Sequence, residues 1–364
     1  MALQYIKGKE VTMHNFNDIP QSVVQIRIMV AGIGGAGLNA LNAMLAAGLD
    51  GVETVGISCS VPRLRRSRAG RTLQIGSDQR GFGTGGNPAV ARTAAEQSSN
   101  ELRRLLAGVD LLLLTAGLGS GTGTGATPVV ARLARESGAL VVGLVTRPFS
   151  REGRHRAALA RQGVRELLSV VDSLIVIPND RLISQASRGM SLLEAFRPAD
   201  QLLQQAVQGI VEVVTGCGQG IVEVVTGCGH INVDFSDLRT VLAARGMALI
   251  GIGTASGENR AVAAATQAIA NPLLEELDLS DARGLLLNIS GSSSMTLDEY
   301  DQVCRTITEQ LAEDAVMVVG MVLDASLAER IRVTVIATGI RLADDLAGVG
   351  TLRLMQGGGC DVKV

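Results

Sequence analysis

Residues 25–31 (QIRIMVA) alternate in polarity with the period of two expected of a strand, and residues 32–37 (GIGGAG) then read as a turn. Apolar positions across 38–47 recur at helical spacing, and 52–57 form a second strand segment. The same reading gives a helix over 88–106 and a strand over 109–115, whose run of four leucines marks a segment buried on both faces. A helix opened by Pro128 over 128–138, a strand over 139–146, a helix over 152–170 and a strand over 173–177 follow. This βα alternation predicts an α/β fold built on a doubly wound parallel sheet. A long helix begins near Ala199. Beyond it the order changes to helix 238–245, strand 248–256, helix 260–270, strand 284–290, helix 297–312 and strands 316–322 and 332–338, which predicts a second, smaller α/β domain with a mixed sheet. The resulting division is a flexible arm over 1–22, a first domain over 23–198, a central helix over 199–230, a second domain over 231–342 and a short tail over 343–364.

Composition narrows the picture. Hydrophobic residues make up 46% of the 364 positions but aromatics only 2%, with no Trp, so the core is built of Val, Leu, Ile and Ala. The formal net charge of −2 offers no global basic field for nucleic acid. No apolar run reaches the length that spans a bilayer, and the first residues lack a signal-type apolar segment, so the expected location is cytoplasmic, without direct membrane insertion. Five cysteines without CxxC spacing, beside three histidines, read as free thiols rather than a zinc site.

One repeat interrupts the central helix. Residues 208–218 read QGIVEVVTGCG and residues 219–229 read the same without a change, an exact tandem duplication.

Three glycine-rich segments carry the candidate chemistry. GIGGAGLN at 32–39 lies between a strand and a helix, where backbone N–H groups and the positive end of a helix suit a phosphate. A dinucleotide fold would also want an acidic residue about 20 positions on. The second strand instead ends Ile57-Ser58-Cys59-Ser60, which disfavours a nicotinamide oxidoreductase. AGLGSGTGTGATPVV at 116–130 repeats the strand–glycine–helix arrangement, and GFGTGGNP at 81–88 supplies a third glycine segment that feeds a helix. No GxxxxGK[ST] motif is present, which excludes the usual P-loop. Several such segments at the carboxyl ends of strands in one sheet can hold a chain of phosphates.

At these residues the sequence resembles the tubulin and FtsZ superfamily, FtsZ most closely, over about residues 24–340. The family signature GGGTGTG matches residues 119–125, with Ser120 replacing one glycine. The resemblance implies a GTP-binding, GTP-hydrolysing, filament-forming protein of bacterial cell division that uses GTP/GDP and Mg2+. It places Gly34, Gly35, Gly37 and Asn39 in the first phosphate loop, Gly83, Gly85 and Asn87 in a further one, and Gly119, Gly121, Thr122, Gly123, Thr124 and Gly125 in the signature loop. Glu152 and Arg156 match the ribose-holding pair, Asn179 the guanine-side loop, and Asp200, following Phe196, the position that reads the guanine edge. A carboxylate there accepts from both N1–H and the exocyclic amine of guanine. Asn232, Asp234 and Asp237 match a loop that, in the family, reaches the next subunit's nucleotide and orients water for attack. The two aspartates also suit caps of the helix starting near Ser236. The implied partner is the chain itself, as a head-to-tail homopolymer, together with cell-division proteins; metal ligands are not assigned.

Three departures qualify this expectation. The family's Asn-Thr-Asp-Ala-Gln stretch reads Ser58-Cys59-Ser60-Val61-Pro62 here, followed by Arg63, Arg65, Arg66 and Arg68, which predicts weakened nucleotide or metal binding. The extra 11 residues fall between the guanine pocket and the catalytic loop; as helix they would add about 16 Å. In the alternative expected arrangement, the first copy continues the helix to about Thr215 and the second loops out. No C-terminal adaptor-binding peptide is visible before Val364. The second reading is therefore a GTP- or GDP-binding scaffold or filament cap with little hydrolysis.

Overall fold

A computed structural model describes residues 26–76, 81–180, 192–215, 235–244, 246–270 and 281–340, with side chains 192–198 and 215 left aside. The arm over 1–22, the second repeat copy, Asn232, Asp234 and the tail over 343–364 lie outside the described residues.

One ten-stranded sheet runs through the protein in the order β3-β2-β1-β4-β5-β6-β7-β10-β8-β9. The parallel half consists of β1 (Ile28–Ile33), β2 (Glu53–Ser58), β3 (Arg71–Gln74), β4 (Leu111–Gly117), β5 (Leu140–Arg147) and β6 (Ser173–Pro178). The leucines of β4 are all fully buried because helices cover both faces of this central strand. The mixed half is β7 (Gly246–Ser256), β8 (Gly284–Gly291), β9 (Val316–Leu323) and β10 (Arg330–Ile340), with β10 antiparallel to both β7 and β8. Parallel pairing of Ser173–Ile175 in β6 with Gly246–Ala248 in β7 joins the halves into one sheet.

Strand side chains alternate between two apolar layers. Ile28 and Val30 of β1 and Leu111 and Leu113 of β4 face α1 (Gly34–Ala46), the long α7 (Leu192–Thr215) and α8 (Phe235–Leu242). Met29, Ala31, Leu112 and Leu114 face α3 (Pro88–Gln97), α4 (Ser99–Leu106), α5 (Gly121–Glu136) and α6 (Arg154–Val170); α9 (Arg260–Ile269) and α10 (Leu297–Thr308) continue that layer under the mixed half. A four-residue α2 (Val61–Leu64) follows β2.

The differences from the expected elements have physical causes. The helix expected over 88–106 is two helices, broken at Ser98, whose hydroxyl accepts a hydrogen bond from the Gly76 amide at 3.0 Å. α5 begins at Gly121, seven residues before Pro128, so the proline sits inside the helix rather than opening it. Most of the glycine signature is therefore the first two turns of a helix, where Thr127 donates its hydroxyl to the Gly123 carbonyl at 2.6 Å. α7 carries the first repeat copy as helix through Thr215.

Candidate nucleotide site

Strand order reverses between β1 and β4: β2 and β3 lie on one side, β5 and β6 on the other. At such a switch point the loops leaving adjacent strands diverge and open a crevice at the carboxyl ends. Here Ile33 pairs with Ala116 at the ends of β1 and β4, directly below the two glycine segments. An open cavity of about 710 Å³ occupies this crevice.

Its floor is shaped by missing side chains. Gly34 takes φ +72° where β1 turns into α1, and a Cβ on it would come within 3.0 Å of the Gly123 amide nitrogen. Gly119 takes φ +85°, and a Cβ there would meet the Arg156 carbonyl at 2.7 Å. The Gly119 amide donates to the buried Thr124 hydroxyl at 2.9 Å, which fixes the loop against its own helix. Ser120 has extended backbone at the N-cap of α5 and donates its hydroxyl to the Gly117 carbonyl at 3.1 Å, so that position has no need of glycine.

Gly35, Asn39, Gly83, Gly85, Gly119, Gly121, Thr122, Glu152, Arg156, Asn179 and Asp200 all line the cavity. Gly34, Gly37, Asn87, Gly123, Thr124 and Gly125 do not. Gly37 makes room for the Thr115 carbonyl, Gly123 for the Gly117 carbonyl and Gly125 for the Pro88 carbonyl; a Cβ would lie 2.3, 2.3 and 1.9 Å from these atoms. These three glycines let helices close on their neighbours. Asn87 caps α3, accepting from the Ala89 amide at 2.9 Å.

The other wall is built by β5, β6 and α7. Glu152 accepts from Arg156 at 2.5 Å and from the Phe149 amide at 2.9 Å, so the pair is held as a unit at the start of α6. Asp180 accepts from the Ser150 amide at 3.0 Å and ties the end of β6 to that turn. Asp200, on α7, has no hydrogen-bond partner among the described residues, and burial pushes its carboxyl up to about 6. Asn179 Oδ1 and Thr115 Oγ1 are buried and unpartnered among the described residues, and both residues line the cavity. Buried polar atoms left without partners point to a polar ligand. Thr115 escaped sequence reading because a threonine at the end of an apolar strand carries no pattern of its own. Arg63 also lines the cavity, alone among the four arginines of residues 63–68. Asp237 lies exposed in the first turn of α8 and is not part of the lining.

Residues 27–187 match the Tubulin/FtsZ family GTPase domain, and residues 246–341 match the FtsZ family C-terminal domain. The cell division protein FtsZ of Buchnera aphidicola subsp. Acyrthosiphon pisum (strain APS) is 45% identical over 320 residues, which cover 88% of this chain and 80% of that protein. The chain belongs to the FtsZ family. FtsZ of Coxiella burnetii (strain RSA 493 / Nine Mile phase I) is 44% identical over 315 residues, 86% of this chain and 79% of that one. A solved structure described as an empty FtsZ dimer from M. jannaschii superposes with a TM-score of 0.78 at 37% identity, covering 86% of this chain and 88% of the other. The FtsZ family comprises cell-division GTPases with a tubulin-like fold, and this chain shares that fold and GTPase domain. No helix among the described residues is long and apolar enough to cross a membrane.

Proposed function

We propose that the cavity binds GTP and GDP, with the phosphates over Gly35, Gly119, Gly121 and the segment Gly83–Gly85, the ribose against Glu152 and Arg156, and the guanine edge on Asp200. The observation that carries this reading is the polarity of the cavity. Bare main-chain amides at helix starts suit anions at one end, and an unpaired, half-buried carboxylate at the other suits a base that presents two adjacent N–H donors. Adenine offers no such pair of donors on that edge. Titration of GDP and ADP tests the reading. GDP should bind at least about tenfold tighter, and Asp200→Asn should erase the preference; equal binding of both nucleotides by the wild-type chain would contradict it.

Magnesium fits this site poorly as a protein-held ion. No cluster of three His, Cys, Asp or Glu able to hold a metal occurs among the described residues. Around the glycines the lining offers the hydroxyls of Ser58, Ser60, Thr84 and Thr122, while its two carboxylates are Glu152, engaged by Arg156, and Asp200. Any magnesium here would be held by phosphate oxygens and water.

Hydrolysis is proposed to need a second copy. Asp237 is exposed and lies off its own chain's cavity, which suits donation to a neighbour's nucleotide in a head-to-tail filament, with Asn232 and Asp234 beside it in sequence. Such residues orient water and control charge without a covalent step. The proposed setting is the cytoplasm at the division site, among other cell-division proteins. The duplicated segment favours a second reading, a nucleotide-bound scaffold with slow turnover; sedimentation of filaments beside phosphate release separates the two.

A further inference from the structure

Among the described residues, Arg63 is the one cavity-lining arginine whose charge has no counter-charge. Arg156 is paired with Glu152, whereas the Arg63 guanidinium has neither an ion pair nor a hydrogen bond among the described residues. Its side chain is exposed, but the backbone that carries it is fixed. The Val61 amide donates to the Gly81 carbonyl at 3.0 Å, Ser60 bridges to Phe82, and Leu64, the last residue of α2, is buried. Downstream, Asn42 on α1 grips the chain twice, donating to the Arg66 carbonyl at 3.1 Å and accepting from the Arg68 amide at 2.7 Å. Held at both ends, the segment directs the guanidinium across the first glycine segment: a Cβ placed on Gly35 would lie 1.8 Å from an Arg63 terminal nitrogen. The absence of a side chain at Gly35 thus makes a seat for Arg63. Arg65, Arg66 and Arg68 do not line the cavity.

Threonine hydroxyls line the same cavity. Thr122 lies beside Gly34, and Thr84 packs on Gly121. Among the described residues, no free carboxylate lines that end of the cavity. An Arg fork over bare amides, without a counter-charge, matches phosphate geometry. We propose that Arg63 is a phosphate-binding residue that places its guanidinium on the terminal phosphates of the bound guanine nucleotide, supplying positive charge where the described lining offers a metal no free carboxylate. The proposal rests on the guanine-nucleotide reading given above.

The test is titration of guanosine, GDP and GTP in EDTA, where no metal can supply the charge, against the wild-type chain, Arg63→Ala, Arg63→Gln, Arg63→Lys and the surface control Arg65→Ala. Arg63→Ala and Arg63→Gln should weaken GTP about tenfold or more, GDP less, and guanosine not at all. Arg63→Lys should recover part of the loss, and Arg65→Ala should match wild type. The glutamine variant keeps the aliphatic stem, so a folding defect of the alanine variant alone does not decide the result. Unchanged GTP affinity in the glutamine variant would overturn the proposal, as would an equal loss for guanosine, which marks a merely structural role. Failure of the wild-type chain to bind GDP would instead overturn the site reading, and this proposal with it.

Discussion

Asp200 carries two opposed demands. Burial raises its carboxyl to about 6, so the charged form costs the empty protein stability, yet a guanine edge needs that charged form as acceptor. For a carboxylate raised in the folded state the cost is present above the folded value and is relieved as pH falls through about 6. Asp200→Asn should therefore raise the thermal midpoint of the nucleotide-free protein at pH 7.5, with the gain vanishing toward pH 4, while abolishing guanine preference. By the same titration, GDP affinity should fall about tenfold between pH 7.5 and pH 5; a flat profile would detach Asp200 from the base. The glycines divide along a line the sequence does not draw. All of residues 119–125 read alike as phosphate loop, but Gly119 and Gly121 reach the cavity whereas Gly123 and Gly125 serve helix packing. Motif matching found Asp200 and the Glu152–Arg156 pair because their residue types announce a chemistry. It could not separate Arg63 from the three arginines after it, since all four read as one basic run and only the fold brings a single one to the cavity.

Among the elements, α5 shows how packing overrides a local signal. Pro128 reads as a helix start, but two further turns precede it because Gly121, Gly123 and Gly125 let the helix lie against Thr84, Gly117 and Pro88. Gly125→Ala should cost about 1–3 kcal/mol in urea denaturation, since the Pro88 carbonyl is backbone and cannot step aside. Gly163→Ala, whose Cβ would meet only the end of the Thr124 side chain and Leu118, should cost less. The alternation of strands and helices was legible because the central strands β1, β2, β4 and β8 are buried on both faces and so read as apolar runs. The edge strand β3 was missed: its four residues are largely exposed and carry no apolar pattern. The duplication belongs to this scale as well. The first copy already occupies α7, with Gln208 donating to Glu212 at 2.9 Å, so the second adds 11 residues between that helix and Asn232. Deleting residues 219–229 should raise GTP turnover per subunit at fixed concentration; unchanged turnover would show that the insertion leaves the catalytic segment in reach.

Across the whole molecule, the two halves that the sequence suggested as separate domains share one sheet, and a buried polar joint fastens the central helix to the mixed half. Glu212 accepts from Asn288 at 3.0 Å, from Ser290 at 3.3 Å and from Arg332 at 3.3 Å, and Arg332 also reaches Asp324 at 3.4 Å. Burial raises the Glu212 carboxyl and Arg332 opposes the rise. Arg332→Ala should destabilise the protein by about 3–5 kcal/mol at pH 7.5, because it strands a buried carboxylate, and by less as the pH is lowered, because burial makes Glu212 easier to protonate. This joint was invisible in sequence, since its members lie up to 120 positions apart. The proposed site, assembled from one chain's cavity and another chain's Asp237, would make catalysis a property of contact between molecules. GTP turnover per subunit, measured against protein concentration, tests that most directly. The account expects a rate near zero at low concentration that climbs steeply above a threshold; a rate per subunit independent of concentration would show that one chain hydrolyses GTP by itself.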